Sequence, residues 1–465
     1  MTSKSEKNAI PSELGTENIG KLLKGYALPA IIAMTASSLY NMIDSIFIGQ
    51  GVGALAISGL AVTFPLMNLS TAFGTLVGAG AATMLSVLLG QKKYTEASKV
   101  LGNVVSLNII IGFLFSLVCL IFIEPILVFF GASENTLPYA KDYMEIILYG
   151  NIVTHLYFGL NAAMRSSGSP KKAMALTIFT VIFNAILDPL FIFVLELGIK
   201  GAAWATVIAQ VAGMMIVLHH FNNKKRAFHF EKGIARLDWK VANDSLTIGF
   251  GPFLMNSAAC IVTLFINLQL KKYSGDLGIG AYGITNRIIF LFFMVCMGLN
   301  QGMQPIAGYN FGARKYSRVK EVFRRTAIMA TVVTTSCFLV SILIPDVIVS
   351  IFTNDEELIA LAARGLKILN LLWPVVGFQI IATNLFQSLG MVNKSIILSL
   401  SRQILFLLPM LYLLPLKFGA DGVWMSYPLS DLLAFLMTAI FLKRLYSKLN
   451  KLKDGDDPSI LGSKL

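Results

Sequence analysis

Between Lys24 and Lys443 the chain alternates long apolar runs with short polar breaks. A run of about 18 or more apolar residues is what a helix needs to cross a hydrocarbon core. Twelve such spans are expected, at residues 23–48, 54–89, 100–123, 143–167, 173–195, 201–222, 246–270, 277–310, 323–352, 358–389, 395–416 and 421–445. The second and eighth are long, so they should tilt or project beyond the bilayer. The first 24 residues are polar and carry no short apolar core with a cleavage site. No signal peptide is therefore expected, and the first span is retained.

The pattern is written twice. An offset of 222 or 223 residues maps Pro29 on Pro252, Gly80 on Gly302, Gly90 on Gly312 and Gly168 on Gly390. Asp188-Pro189 falls on Leu408-Pro409 at offset 220, and Gly201 on Gly422 at offset 221. A repeat this long excludes short-period solenoids and propellers. Duplicated apolar halves are how secondary transporters build two lobes around a central site. With six spans each, both halves insert the same way up, and their pseudo-two-fold axis lies along the membrane normal. The expected organisation is a terminal segment at 1–22, an N lobe of spans 1–6 at 23–222 and a linker at 223–244. A C lobe of spans 7–12 follows at 245–445, and then a tail at 446–465. The fold class is an all-α integral membrane protein, with twelve transmembrane helices in two pseudo-symmetric six-helix bundles.

Composition agrees: 55% of residues are hydrophobic, 14% are charged, and mean hydropathy is +0.71, far from a soluble domain. Charge sets the orientation. Lys92, Lys93, Lys171, Lys172, Arg314, Lys315 and the Lys224-Lys225-Arg226 cluster fall on the side of both termini, whereas the opposite loops are poor in Lys and Arg. By the positive-inside bias both termini are cytoplasmic. The net charge of +13 then reflects topology and lipid surface, with no nucleic-acid partner implied. Cys119, Cys260, Cys296 and Cys337 are scattered through apolar segments, too dispersed for a disulfide frame or a metal site. His219, His220 and His229 have no Cys or carboxylate at ligand spacing. No nucleophile–base pair and no phosphate-binding loop appears. A membrane enzyme is therefore a poor third reading, and nothing suggests that ATP drives transport.

Candidate chemistry lies in the N lobe. A carboxylate inside a span is costly, so it normally faces a cavity, a partner or an ion. Asp44 stands near the outer end of span 1, in Tyr40-Asn41-Met42-Ile43-Asp44-Ser45, and Asp188 lies in span 5. Asn184, four residues before Asp188, shares its helix face. Thr206 in span 6 adds a hydroxyl. Two carboxylates, an amide and a hydroxyl make an oxygen-only set suited to Na⁺ or exchangeable protons. The other reading is that both acids merely hydrate at the outer interface. Tyr40, Asn68, Tyr157 and Asn161 are polar-tipped residues that could line a substrate cavity, with Met34 and Met67 as adaptable wall; the same residue types also serve as packing. Pro29, inside span 1, removes a helix hydrogen bond and favours a kink.

In their order these residues resemble the multidrug and toxic compound extrusion (MATE) family over residues 20–445. The pattern begins with Leu28-Pro29, Tyr40-Asn41, Asp44 and Gly49, followed by Ser166-Ser167-Gly168-Ser169-Pro170. It continues through Asn184, Asp188-Pro189, Gly198, Gly201-Ala202-Ala203, Thr206 and Gln210, then Gly419, Gly422-Val423-Trp424, Pro428 and Asp431. The resemblance implies a V-shaped pair of six-helix bundles that exports organic cations in exchange for Na⁺ or H⁺. In similar members an acid of the first span and the positions of Asn184, Asp188 and Thr206 form the cation site. Asn161 matches a cavity asparagine. Some members carry acids in spans 7, 8 and 10. Here Asn256, Asn267, Gln269, Gln379, Asn384 and Gln387 stand in spans 7 and 10, which places coupling in the N lobe and likens the chain to the DinF-like bacterial and archaeal branch. Arg402 and Asp431 are expected to pair structurally in the C lobe.

The resulting expectation is a multi-pass, monomeric efflux antiporter of a prokaryotic inner membrane. Its partners are small-molecule drugs or organic cations and the lipid bilayer, and it needs no cofactor beyond the coupling ion. A lipid-linked oligosaccharide flippase of the same superfamily is the alternative. It would need a cationic cavity, whereas intramembrane arginine is limited to Arg287 and Arg402.

Overall fold

The computed structural model describes residues 13–52, 54–223, 229–230, 237–352 and 355–458. Most of the linker cluster, including Lys224, Lys225, Arg226 and Phe228, lies outside the described residues, as do 1–12 and the end of the tail. Twelve helical spans follow in order. They are α1 (Ile19–Gly51), α2 (Ala54–Gly90), α3 (Tyr94–Ile121), α4 (Leu137–Ser166), α5 (Pro170–Pro189), α6 (Gly198–Asn222), α7 (Trp239–Gly275), α8 (Leu277–Gly312), α9 (Tyr316–Leu343), α10 (Glu356–Leu369 and Trp373–Ser388), α11 (Val392–Phe418) and α12 (Ala420–Leu449). Helix is the expected solution, because lipid offers no partner for a backbone polar group and each must bond within its own segment.

Among the described residues ten of these helices are long and apolar enough to cross a membrane on their own. The two limbs of α10 pass the same test as one span bent by 54°. The break falls at Asn370–Leu372, just before Pro374 opens the second limb. α4 is the exception, because Lys141, Asp142, Glu145 and Arg165 lower its hydropathy. It is nonetheless 30 residues long and packs against α2, α3, α5 and α6. In its middle Asn151, His155 and Asn161 are buried and bond to α2 or α5, whereas Lys141, Asp142 and Glu145 at its start stay partly exposed. Two spans also start or end differently from their apolar runs. α7 begins at Trp239, within the polar linker, and α9 ends at Leu343, ahead of Pro345.

The internal repeat is visible in backbone geometry. Gly168 (φ 94°) and Gly390 (φ 67°) occupy equivalent left-handed positions at the α4–α5 and α10–α11 turns, which a side chain would strain. Lys92 (φ 61°) and Arg314 (φ 57°) are a second equivalent pair at the α2–α3 and α8–α9 turns. Each half also contains a widened π-helical stretch beside a corresponding proline, Leu190–Val194 after Pro189 and Ser401–Leu407 before Pro409. A missing proline N–H leaves a carbonyl without its usual partner, and wider turns are a common local adjustment.

The chain forms two compact units. One holds Ile32–Phe253 with the short turn Glu13–Thr16; the other holds Asn18–Ile31 and the chain from Leu254 onward. The first half of α1 thus belongs with the second unit, and the first turns of α7 with the first. Both crossovers fall just after a repeat-related proline, at Ile31–Ile32 after Pro29 and at Phe253–Leu254 after Pro252. In the first unit a Cβ on Gly80 of α2 would overlap the Ser245 carbonyl of α7. In the second a Cβ on the equivalent Gly302 of α8 would overlap the Ala27 backbone of α1. Glycine is what permits these two close backbone approaches.

Each unit has its own core. Ile48, Leu60, Phe115, Met144, Ile199 and Val207 cluster in the first, and Ile266, Ile284, Leu366, Trp373 and Trp424 in the second. Outward stripes remain apolar, such as Phe113, Leu117 and Ile121 on α3 and Leu432, Leu436 and Ile440 on α12. On a soluble monomer such surface would be a liability; against lipid tails it is the matched face. At the linker's end, Lys99 Nζ donates to Asp238 Oδ2 at 3.1 Å. Asn103 exchanges bonds with the Asp238 backbone, both at 3.0 Å.

Candidate cation site in the first unit

The four expected ion residues all lie buried in the first unit. Asp44 on α1 is 5% exposed and Asp188 at the end of α5 is 0% exposed. One turn earlier, Asn184 turns its amide onto the carboxylate, with Nδ2 donating to Asp188 Oδ1 at 3.1 Å. The pair is held at the junction where α5 widens after Pro189. On α6, Thr206 bonds through its hydroxyl to Tyr143 of α4. The charges of Asp44 and Asp188 both act on the Tyr143 hydroxyl, and that of Asp44 acts on Asp188. Five side chains from α1, α4, α5 and α6 thus share one electrostatic environment.

Three oxygens in this group are buried and have no hydrogen-bond partner: Asp44 Oδ1, Asn184 Oδ1 and Asp188 Oδ2. Buried acceptors are normally satisfied, and each exception calls for an explanation. One N–H of the Asn184 amide is committed to Asp188, and its unpartnered carbonyl oxygen can only accept. Three unpartnered acceptor oxygens suit a proton or a hard cation. Among the described residues no three His, Cys, Asp or Glu side chains are grouped so that they could hold a metal ion, and the atoms offered here are hard oxygen donors.

Tyr143 is the residue that sequence reasoning missed. It sits in Lys141-Asp142-Tyr143-Met144-Glu145, where a tyrosine looks like an interface anchor, and only tertiary packing turns it inward.

The expected substrate residues fall elsewhere. Tyr157 is buried, with its hydroxyl 3.0 Å from that of Thr180. Asn161 Nδ2 donates to the Ala173 carbonyl at 3.2 Å and to the Thr177 hydroxyl at 3.3 Å. Both therefore join α4 to α5. Asn68 is exposed on α2. The Tyr40 side chain lies outside the described residues. Pro29 lies within α1, which continues through it as helix. A further buried polar group joins α2 to α4: Ser70 Oγ donates to Asn151 Oδ1 at 2.6 Å and stands 3.2 Å from His155 Nε2.

In the second unit Arg402 Nε donates to Asp431 Oδ1 at 2.6 Å. The guanidinium lies 5.6 Å from the centre of the Trp373 ring. Asp431 is fully buried while the Arg402 side chain is 20% exposed. Here the carboxylate has a built-in cation, in contrast to the acids of the first unit.

Repeated apolar halves and twelve helical spans define the architecture of a multi-pass membrane protein built from two related lobes. The MatE family model matches residues 29–190 and 250–413, one segment in each half, and the chain belongs to this family of MATE transporters. The multidrug export protein MepA of Staphylococcus haemolyticus (strain JCSC1435) is 29% identical over 437 residues, covering 94% of this chain and 95% of that protein. MepA of Staphylococcus aureus (strain MSSA476) is 28% identical over 426 residues, covering 91% and 94%. Among solved structures, the MATE multidrug transporter DinF-BH is 36% identical with a TM-score of 0.88, covering 94% of this chain and 98% of that one. A MATE protein solved in a bent conformation shares the fold, with a TM-score of 0.88 at 20% identity.

Proposed function

We propose that the protein is a multidrug efflux antiporter, exporting small organic and often cationic compounds in exchange for H⁺ or Na⁺. What carries the reading is the set of three unpartnered oxygens on Asp44, Asn184 and Asp188, buried on α1 and α5 beside Tyr143 and Thr206. The relatives with full-length similarity are named as multidrug exporters, which supports drug-like substrates here. The excess of Lys and Arg on one side supports an inner-membrane protein with both termini in the cytoplasm.

The proposed cycle follows from the charge balance of the site. Two acids held close together in a low-dielectric region repel when both are ionised, so binding a proton or Na⁺ relieves the repulsion. Tyr143 and Thr206 position a hydroxyl pair against the acids. Asn184 keeps one Asp188 oxygen bonded and leaves the other for the ion. Inward ion movement releases about 2.3 kcal/mol per charge per 100 mV, in addition to its concentration gradient. Neutralising the acids removes the reason for α1 to hold one conformation, and Pro29 gives that helix a place to bend. A flippase with a cationic cavity is less well served, because Arg402 is committed to Asp431.

The test is a resistance assay in a drug-sensitive host. Asp44→Asn and Asp188→Asn should reach the membrane at wild-type levels yet lose drug resistance. Near-wild-type resistance from either well-expressed variant would remove that acid from the mechanism.

A further inference from the structure

The last turns of α12 place Phe441, Arg444, Leu445 and Lys448 at i, i+3, i+4 and i+7, one face of the helix. With Lys394, from the first turn of α11, they line a cavity of about 160 Å³. This is room for about five waters at about 30 Å³ each, the scale of a phosphodiester group. Three cations from two helices converge there on two apolar side chains.

The cations have been brought together against their mutual repulsion. Lys394 and Lys448 lie within electrostatic range of each other. The hydrogen bond found for Lys394 Nζ is to Met391 Sδ at 3.9 Å, and a thioether is only a weak acceptor. The acids that follow α12 are turned elsewhere. Asp454 Oδ1 accepts from the Ser317 backbone at 2.9 Å, and the Asp456 carbonyl accepts from the Tyr316 hydroxyl at 2.7 Å. The chain's own acidic segment is thus docked on the start of α9.

The approach to the cavity is apolar. Leu432, Leu436 and Ile440 are exposed at four-residue steps along α12, and the same series continues into Arg444 and Lys448. An acyl chain on that stripe would end with its headgroup at the cations.

We propose that this cavity binds the phosphodiester of an anionic phospholipid, with Lys394, Arg444 and Lys448 around the phosphate and Phe441 and Leu445 against the glycerol region. The site rests on the membrane placement of α12 and is independent of the coupling ion. A cation near such a headgroup is worth about five-fold in affinity, so removing two should weaken binding roughly twenty-five-fold.

The test uses full-length purified protein in detergent, titrated separately with dioleoyl phosphatidylglycerol and dioleoyl phosphatidylcholine and read by native mass spectrometry. One phosphatidylglycerol should be retained preferentially, and Arg444→Gln/Lys448→Gln should lose most of that retention. The charge-matched control Lys443→Gln/Lys451→Gln, at exposed positions outside the cavity, should keep it, as should the swap Arg444→Lys/Lys448→Arg. Thermal melting of each variant reports folding. Equal retention of the two lipids would overturn the proposal. So would undiminished retention by the Gln double variant, or an equal loss in the control. Displacement of the lipid by millimolar inorganic phosphate would also overturn it, since the site would then be one for free phosphate.

Discussion

Replacing one member of the Arg402–Asp431 pair should cost far more than replacing both. Removing a single partner from a buried ion pair costs about 3–5 kcal/mol, whereas a well-packed apolar replacement of the whole pair is often neutral. The structure orders the two single variants. In Asp431→Leu the orphaned guanidinium keeps the Trp373 face at 5.6 Å and its 20% exposure, which sets the loss near the lower bound, about 3 kcal/mol. In Arg402→Met a fully buried carboxylate is left whose Oδ2 already lacks a partner, so the loss approaches about 5 kcal/mol. At roughly 2–4 °C per kcal/mol for a unit of this size, Asp431→Leu should lower the apparent Tm by roughly 6–12 °C. Arg402→Met should lower it further, and the double variant Arg402→Met/Asp431→Leu should recover most of the loss. Thermal unfolding in detergent, paired with drug transport in liposomes, checks both stability and role. The reasoning is refuted if the double variant is as unstable as the singles. It is equally refuted if the double variant folds well but no longer transports, because the pair would then belong to the coupling machinery.

At Gly80 and Gly302 an added Cβ meets backbone that cannot swing aside, so Gly80→Ala and Gly302→Ala should each lose at least the about 1–3 kcal/mol typical of overpacking. Gly25→Ala on α1, where nothing beyond its own stretch of helix lies within 4 Å of the new Cβ, should instead be neutral or gain up to about 1 kcal/mol; equal Tm losses at all three positions would contradict the packing account. Pro29→Ala should slow turnover more than it weakens drug binding, and unchanged transport with an unchanged α1 conformation would leave the proline a static feature. On the solvent-exposed loops, the Lys99 hydrogen bond holds the Asp238 carboxyl below its usual range. Asp454 is also held low: partial burial acts to raise it, but its bonds to Ser317 outweigh that. Depressed carboxyls contribute stability above their unfolded value of about 4 and lose it as pH falls through the folded one. Amide exchange at 237–242 and 450–458 should therefore be flat from pH 8 to 5, after correction for the intrinsic rate, and accelerate below about 4. Constant protection down to pH 3 would show that neither carboxylate matters.

The spans were legible because lipid tolerates only helices with apolar exteriors, and the repeat because both halves place glycine where backbones touch, at Gly80 and Gly302. Asp44 and Asp188 stood out because a carboxylate within a span is costly. Tyr143 did not, since its neighbours Lys141, Asp142 and Glu145 give it the surroundings of a loop edge and only packing against α6 turns it inward. The start of α7 was hidden for a related reason. Lys240, Asn243 and Asp244 look like linker, yet the chain is helical there because Asp238 is anchored to Lys99 and Asn103 of α3. Polarity also does not distinguish a cavity wall from a helix seam. Tyr157 and Asn161 are polar tips in sequence, and in the structure both bond across to α5.

Drug transport in proteoliposomes, with Na⁺ and pH gradients imposed separately, tests the central claim most directly when wild type is compared with Asp44→Asn and Asp188→Asn. Wild type should move drug when one of the two gradients is applied. Both variants should still bind drug but show no gradient-driven transport. Gradient-driven transport at wild-type rates in either variant would contradict the assignment of coupling to this site.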